Sequence, residues 1–228
     1  MPIDFRAKRR LAYMRRNRCG VLLAALCLFI LINPFVAGSF GAVFLALGIV
    51  TILMLAMWAL RARRRTLLVL GLLALFTVNA VAVDRLGEHW LRPVTLLVTA
   101  VFLGAVTSGL LYYVLDRRPI SADKVFGAVA AYVLIAFTFA SLFGLLQQIE
   151  PHSFHASPVH VPDEHLDWPT MMYFSFTVLT STGFGEITPV TRMARSLIII
   201  EQVLGVMYVA FLIARLANLY RNTGTHRP

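Results

Sequence analysis

Six apolar segments, each close to bilayer-crossing length, limit what this chain can fold into. They run over residues 19–38, 40–60, 66–83, 93–115, 125–146 and 196–214. About 20 apolar residues in a helix cross the hydrocarbon core. A helix also satisfies its backbone polar groups internally, which lipid requires. Hydrophobic residues make up 59% of the chain and charged residues 14%, with a mean hydropathy of +0.76. Soluble domains are far more polar. The expected fold is an all-α integral membrane protein. Cys19 and Cys27 fall on one predicted helix, too far apart to bridge, so no disulfide framework is expected.

The net charge of +10 would suggest nucleic acid in a soluble protein. In a membrane protein it reads first as topology, and no nucleic-acid partner is expected. Arg6, Lys8, Arg9, Arg10, Arg15, Arg16 and Arg18 form a basic arm over 1–18. It is too basic for a cleaved leader. It serves either as an orientation signal or as a site for anionic lipid head groups. With the N-terminus in the cytoplasm, six spans return the C-terminus there. Cytoplasmic Lys and Arg then number 17, against four outside (Arg85, Arg92, Arg192 and Arg195). The inverted arrangement would violate the positive-inside rule. The small size suggests a bacterial inner membrane.

Between the fifth and sixth apolar segments lies a different kind of sequence. Residues 147–167 contain Pro151, Pro158 and Pro162, so a loop is predicted. His152, His155, His160 and His165 lie in it, beside Glu150, Asp163 and Glu164. They read as a solvated rim or as a pH or metal sensor. Asp167 is a good N-cap, and Pro169 suits a first helical turn. The predicted helix from 169 to 180 is too short to span. It runs into Ser181-Thr182-Gly183-Phe184-Gly185-Glu186. Glycines at alternate positions allow conformations of alternating hand. Carbonyls turned to one side by that alternation can replace the water shell of a cation.

These residues resemble the selectivity filter of the tetrameric potassium-channel superfamily, T-x-G-[YF]-G-D. The likeness extends upstream through Asp167-Trp168-Pro169 and residues 173–180, and downstream to Gly205, over roughly 125–220. It implies a homotetramer with one re-entrant pore loop per chain. It also implies passive K+ flux, with K+ at Ser181, Thr182, Gly183 and Phe184 as the permeant ligand and no cofactor. Trp168, Tyr173, Thr177 and Thr180 take pore-helix positions. The organisation that follows is a basic arm (1–18), four helices (19–118), a pore domain (119–220) and a short cytoplasmic tail (221–228). Residues 93–115 lack the arginine series of voltage-gated relatives, so voltage gating is not expected.

Departures from the family pattern open a second reading. Ser181 stands for threonine, Thr182 for valine or isoleucine, Phe184 for tyrosine and Glu186 for aspartate. A non-selective monovalent cation channel is therefore the alternative to a potassium channel. Alternatives of another class are a secondary transporter or a non-conducting accessory subunit. No nucleotide-binding or hydrolase motif suggests an enzyme.

Glu201 lies in the last apolar segment, where a carboxylate is a functional or network residue by default. It either faces the cavity, bonds hydroxyls such as Thr182 or Thr177 behind the filter, or makes a packing contact with another span. Gly205 is either a hinge or a small residue at a close helix contact. Asn79 reads as interhelical glue.

Overall fold

The computed structural model describes residues 17–33, 41–60, 71, 92–116, 121–157 and 166–224. The predicted span over 66–83 apart from residue 71, most of the basic arm, Asn79, His160 and His165 lie outside these. The chain divides into two compact units, Met1–Thr138 and Phe139–Pro228.

In the first unit, α1 (Arg18–Ile32), α2 (Gly41–Leu60) and α3 (Arg92–Leu115) precede α4 (Ala122–Ile149). α1 packs on α2, and α2 on α3. Hydroxyls in these apolar helices bond the carbonyl one turn back. Thr51 bonds Leu47, Thr99 bonds Thr95, Thr107 bonds Leu103 and Thr138 bonds Leu134, at 2.7–2.8 Å. That geometry lets a polar residue sit in a lipid-compatible helix.

At the start of α4, Ser121 and Asp123 make different bonds. Ser121 accepts from the Lys124 amide at 3.4 Å. Asp123 instead accepts from the Cys19 amide at 2.8 Å and the Tyr113 hydroxyl at 3.1 Å. It thus satisfies an orphan donor in the first turn of α1, a helix with no cap from its own Asn17 side chain. Gly127 packs here, with space for a Cβ only 3.2 Å from Cys19 Sγ. At the other end of α1, Phe29 stacks edge-on against Phe137 at 5.8 Å.

α1 covers residues 19–32 of the predicted span over 19–38; residues 34–38 of that span lie outside the described residues. Among the described residues, three helices are long and apolar enough to cross a membrane: Arg92–Leu115, Ala122–Ile149 and Arg192–Arg215. Arg18–Ile32 and Leu47–Ala56 are shorter apolar helices.

The second unit contains the last turns of α4, then β1 (Phe154–Ala156), α5 (Trp168–Leu179), β2 (Ile187–Pro189) and α6 (Arg192–Gly224). Residues 147–167 are not entirely loop. β1 pairs antiparallel with β2, with His155 opposite Thr188. Phe143, Phe154 and Phe174 form a three-ring cluster with centroids 5.3–5.6 Å apart. The alternation along β1 turns Phe154 and Ala156 inward and His155 outward. α6 extends well past the predicted 196–214. At 33 residues it is ~50 Å long, so it projects beyond the ~30 Å hydrocarbon core.

Candidate ion-conducting site

α5 is built as expected from its first turn. Asp167, with φ −73° and ψ 173°, accepts from the Thr170 amide at 3.0 Å and its hydroxyl at 2.5 Å. Pro169 lies in the first turn, where no amide is needed. Trp168 Nε1 donates to Ser141 Oγ at 3.2 Å, fixing the helix start. The buried face carries Met171, Phe174, Ser175, Val178 and Leu179.

Beyond Leu179 the backbone turns back on the helix end. The amides of Thr182 and Gly183 both donate to the Thr177 carbonyl, at 2.9 and 3.2 Å. The Ser181 amide donates to Val178 at 2.9 Å. These bonds satisfy carbonyls that a helix C-terminus otherwise leaves orphaned. Ser181, Gly183 and Gly185 take positive φ values of 56°, 55° and 84°. Left-handed residues therefore fall at alternate positions. Glycine adopts this region freely, whereas Ser181 does so at a cost of about 1 kcal/mol.

Three side chains of the 180–186 stretch, those of Thr180, Thr182 and Glu186, are tied back towards α5. Thr182 Oγ1 lies 2.8 Å from Thr180 Oγ1, which donates to the Phe176 carbonyl at 2.7 Å. Because Thr180 uses its one proton on Phe176, Thr182 is the donor of the pair. Tyr173 donates to Glu186 Oε2 at 2.8 Å. Burial first, and then the Glu186 carboxylate as acceptor and as charge, raise the Tyr173 phenol above its usual 10.0, so it stays a donor at neutral pH. The Glu186 carbonyl accepts from the Ser157 amide at 2.8 Å, beside the β1–β2 ribbon. Phe184 is 66% exposed on the single chain.

Glu201 is fully buried and packs on the α5 side of α6. One of the three readings open to it named hydroxyls such as Thr182 or Thr177; the hydroxyl it accepts from is Ser175 Oγ, at 2.5 Å through Oε1. Those two threonines are already satisfied: Thr177 donates to the Phe174 carbonyl at 2.8 Å, and Thr182 to Thr180. Glu201 Oε2 is buried without a hydrogen-bond partner among the described residues. Gly205 is buried one turn further on, where a Cβ would collide with the Leu179 carbonyl oxygen.

Sequence reasoning missed Ser175, Leu179 and Ser157. A usable signal for the first two was present. Ser175 and Leu179 are four apart, as are Glu201 and Gly205, a spacing that stacks each pair on one helix face. His152 and His155 are exposed and lie outside this constellation. Among the described residues, no group of three or more His, Cys, Asp or Glu side chains could hold a metal ion.

A family model described as "Ion channel" matches residues 128–222. Protein LctB of Geobacillus stearothermophilus is 32% identical over 119 residues, covering 52% of this chain and 88% of that protein. The chain belongs to the two-transmembrane ion-channel family of the potassium-channel superfamily. Protein LctB of Bacillus caldotenax is 28% identical over 120 residues, with 52% and 89% coverage. No solved structure matches. The family match includes α5, the 180–186 stretch and nearly all of α6. The protein is thus an integral membrane ion channel.

Proposed function

We propose that this channel passes K+ through a filter formed by Ser181, Thr182, Gly183, Phe184 and Gly185, with Glu186 at its outer mouth. The observation that carries this reading is the alternation of left-handed residues at Ser181, Gly183 and Gly185. It is the backbone condition for successive carbonyls to face one ion path. K+ is the permeant substrate, held in turn at Ser181, Thr182, Gly183 and Phe184. The C-terminal, negative end of α5 adds a favourable field for a cation.

Four copies complete the filter in this reading. On the single chain, Phe184 exposes an apolar ring, and α6 exposes Ile199, Ile200, Val203, Met207 and Phe211. Neighbouring copies and lipid would cover them. Each chain would cross a bacterial inner membrane six times, with both termini cytoplasmic. The basic arm would meet anionic head groups. The four helices before the pore unit would not act as a conventional voltage sensor.

A non-selective monovalent cation channel is the second reading, favoured by one observation. Thr182 places a hydroxyl beside the filter backbone where the family carries an aliphatic side chain, and that hydroxyl is tied to Thr180.

Ion flux from liposomes holding the purified protein tests both. With K+ inside and Na+ outside, then reversed, a potassium channel follows only the K+ gradient and is blocked by Ba2+. Equal flux of the two ions supports the non-selective reading. Substrate-coupled, saturable uptake would support a transporter instead, and absence of flux an accessory subunit.

A further inference from the structure

Two positions on α5 meet two positions on α6 in register. Ser175 and Leu179 are one turn apart on α5, and Glu201 and Gly205 are one turn apart on α6. Ser175 donates to Glu201. One turn on, Gly205 admits the Leu179 carbonyl so closely that a Cβ would strike backbone. A single hydrogen bond would let the helices pivot, and a single close approach would let them slide. The pair together opposes both motions.

What α5 does is passed directly to the loop beyond it. The Thr177 carbonyl receives the amides of Thr182 and Gly183. Thr180 and Thr182 are joined through their hydroxyls, and Tyr173 holds Glu186. Displacing α5 therefore displaces the 180–186 stretch at both of its ends. The contact with α6 carries an energetic cost, because Glu201 is fully buried with one oxygen unpartnered among the described residues. An apolar side chain of similar volume would fill this seam more cheaply. The distinctive contribution of the carboxyl is a directional bond to Ser175.

We propose that Glu201 is a positioning residue for conduction. Through Ser175, with Gly205 seated against Leu179, it couples α6 to the filter, so that the position of α6 decides whether the filter conducts. The inference rests on the filter reading of residues 181–186.

Single-channel recording of the full-length protein in planar bilayers, in symmetrical K+, tests it. Ser175→Ala and Glu201→Ala are each expected to lower open probability about five- to tenfold. The double variant should fall no further than the worse single variant, because both remove one bond. Ser175→Thr and Glu201→Gln keep a donor hydroxyl and an acceptor oxygen, and should remain within about twofold of wild type. Size-exclusion profiles and melting curves accompany each variant. A purely structural role would lower the yield of assembled protein without changing the open probability of each channel.

Alanine variants that open like wild type would overturn the proposal. So would Glu201→Gln falling as far as Glu201→Ala, which would make charge, and not the bond, the cause. If Glu201→Ala does not assemble, the Ser175→Ala and Ser175→Thr pair decides, since both leave the carboxyl in place. A conducting wild type with indifferent variants removes this inference alone. A wild type that passes no ion removes the conduction reading and the inference together.

Discussion

Tyr173 on α5 and Glu186 beyond the glycines are joined by a 2.8 Å hydrogen bond between phenol and carboxylate. The bond joins residues thirteen apart in sequence and closes a loop that contains every candidate ion ligand. The chain thus leaves the helix at Thr180, passes through three left-handed residues and is tied back at Glu186. Tyr173→Phe removes this tie and leaves the ring. The expected result is faster decay of K+ current during sustained recording. Because the pair is partly exposed, the loss should stay below about 1 kcal/mol, and Tyr173→Phe should melt within a few degrees of wild type.

The same bond sets a pH expectation. The Tyr173 phenol titrates above its ordinary 10.0. A raised pKa means that the contribution of the bond is fully present below pH 10. It is lost as pH rises through the higher folded-state value. Decay of current should therefore be flat between pH 7 and 9 as far as this pair is concerned. It should steepen only at more alkaline pH, and Tyr173→Phe should abolish that steepening.

Thr180→Ala leaves the Thr182 hydroxyl without its acceptor. An unsatisfied hydroxyl in the assembled filter would cost about 1–3 kcal/mol. The expected outcome is a reduced K+ to Na+ permeability ratio, read from reversal potentials. Thr182→Val removes the hydroxyl that needs a partner. The Thr180→Ala, Thr182→Val double variant should recover most of the ratio that Thr180→Ala loses.

Gly205→Ala places a methyl group against the Leu179 carbonyl, a backbone atom that cannot swing aside. Overpacking of this kind costs about 1–3 kcal/mol. The assembled channel should melt several degrees lower, and α5 should be displaced. A melting temperature equal to wild type would mean that the α5–α6 seam can widen freely.

Asp123→Ala tests the first unit. It removes the acceptor for both the Cys19 amide and the Tyr113 hydroxyl. Loss of a helix cap typically costs about 1 kcal/mol, up to about 2. The expected result is lower thermal stability and faster amide exchange in the first turn of α1, with permeability ratios unchanged.

Much of this arrangement is local in sequence, which is why it was legible. The N-cap at Asp167, the proline in the first turn and the glycines at 183 and 185 act through neighbouring residues. Backbone sterics and helix-end hydrogen bonding decide them within a few positions. The left-handed conformation at Ser181 was not legible, because no local preference of serine requires it. It depends on amides 181–183 being drawn back to the end of α5.

Run length and hydropathy alone required helices in a membrane, since apolar runs of about 20 residues match a spanning helix, which satisfies its own backbone in lipid. Motif spacing alone pointed to a filter. Tertiary packing decided the partner of Glu201, because Ser175 is 26 residues away and competes with Thr177 and Thr182. Those threonine hydroxyls are bonded elsewhere, to Phe174 and to Thr180. Packing also made Asp123 a cap for the Cys19 amide, 104 residues earlier, and drew Phe154–Ala156 into a ribbon with Ile187–Pro189. In each case the choice lay among several chemically equivalent donors or acceptors. Only their distance in three dimensions separates them.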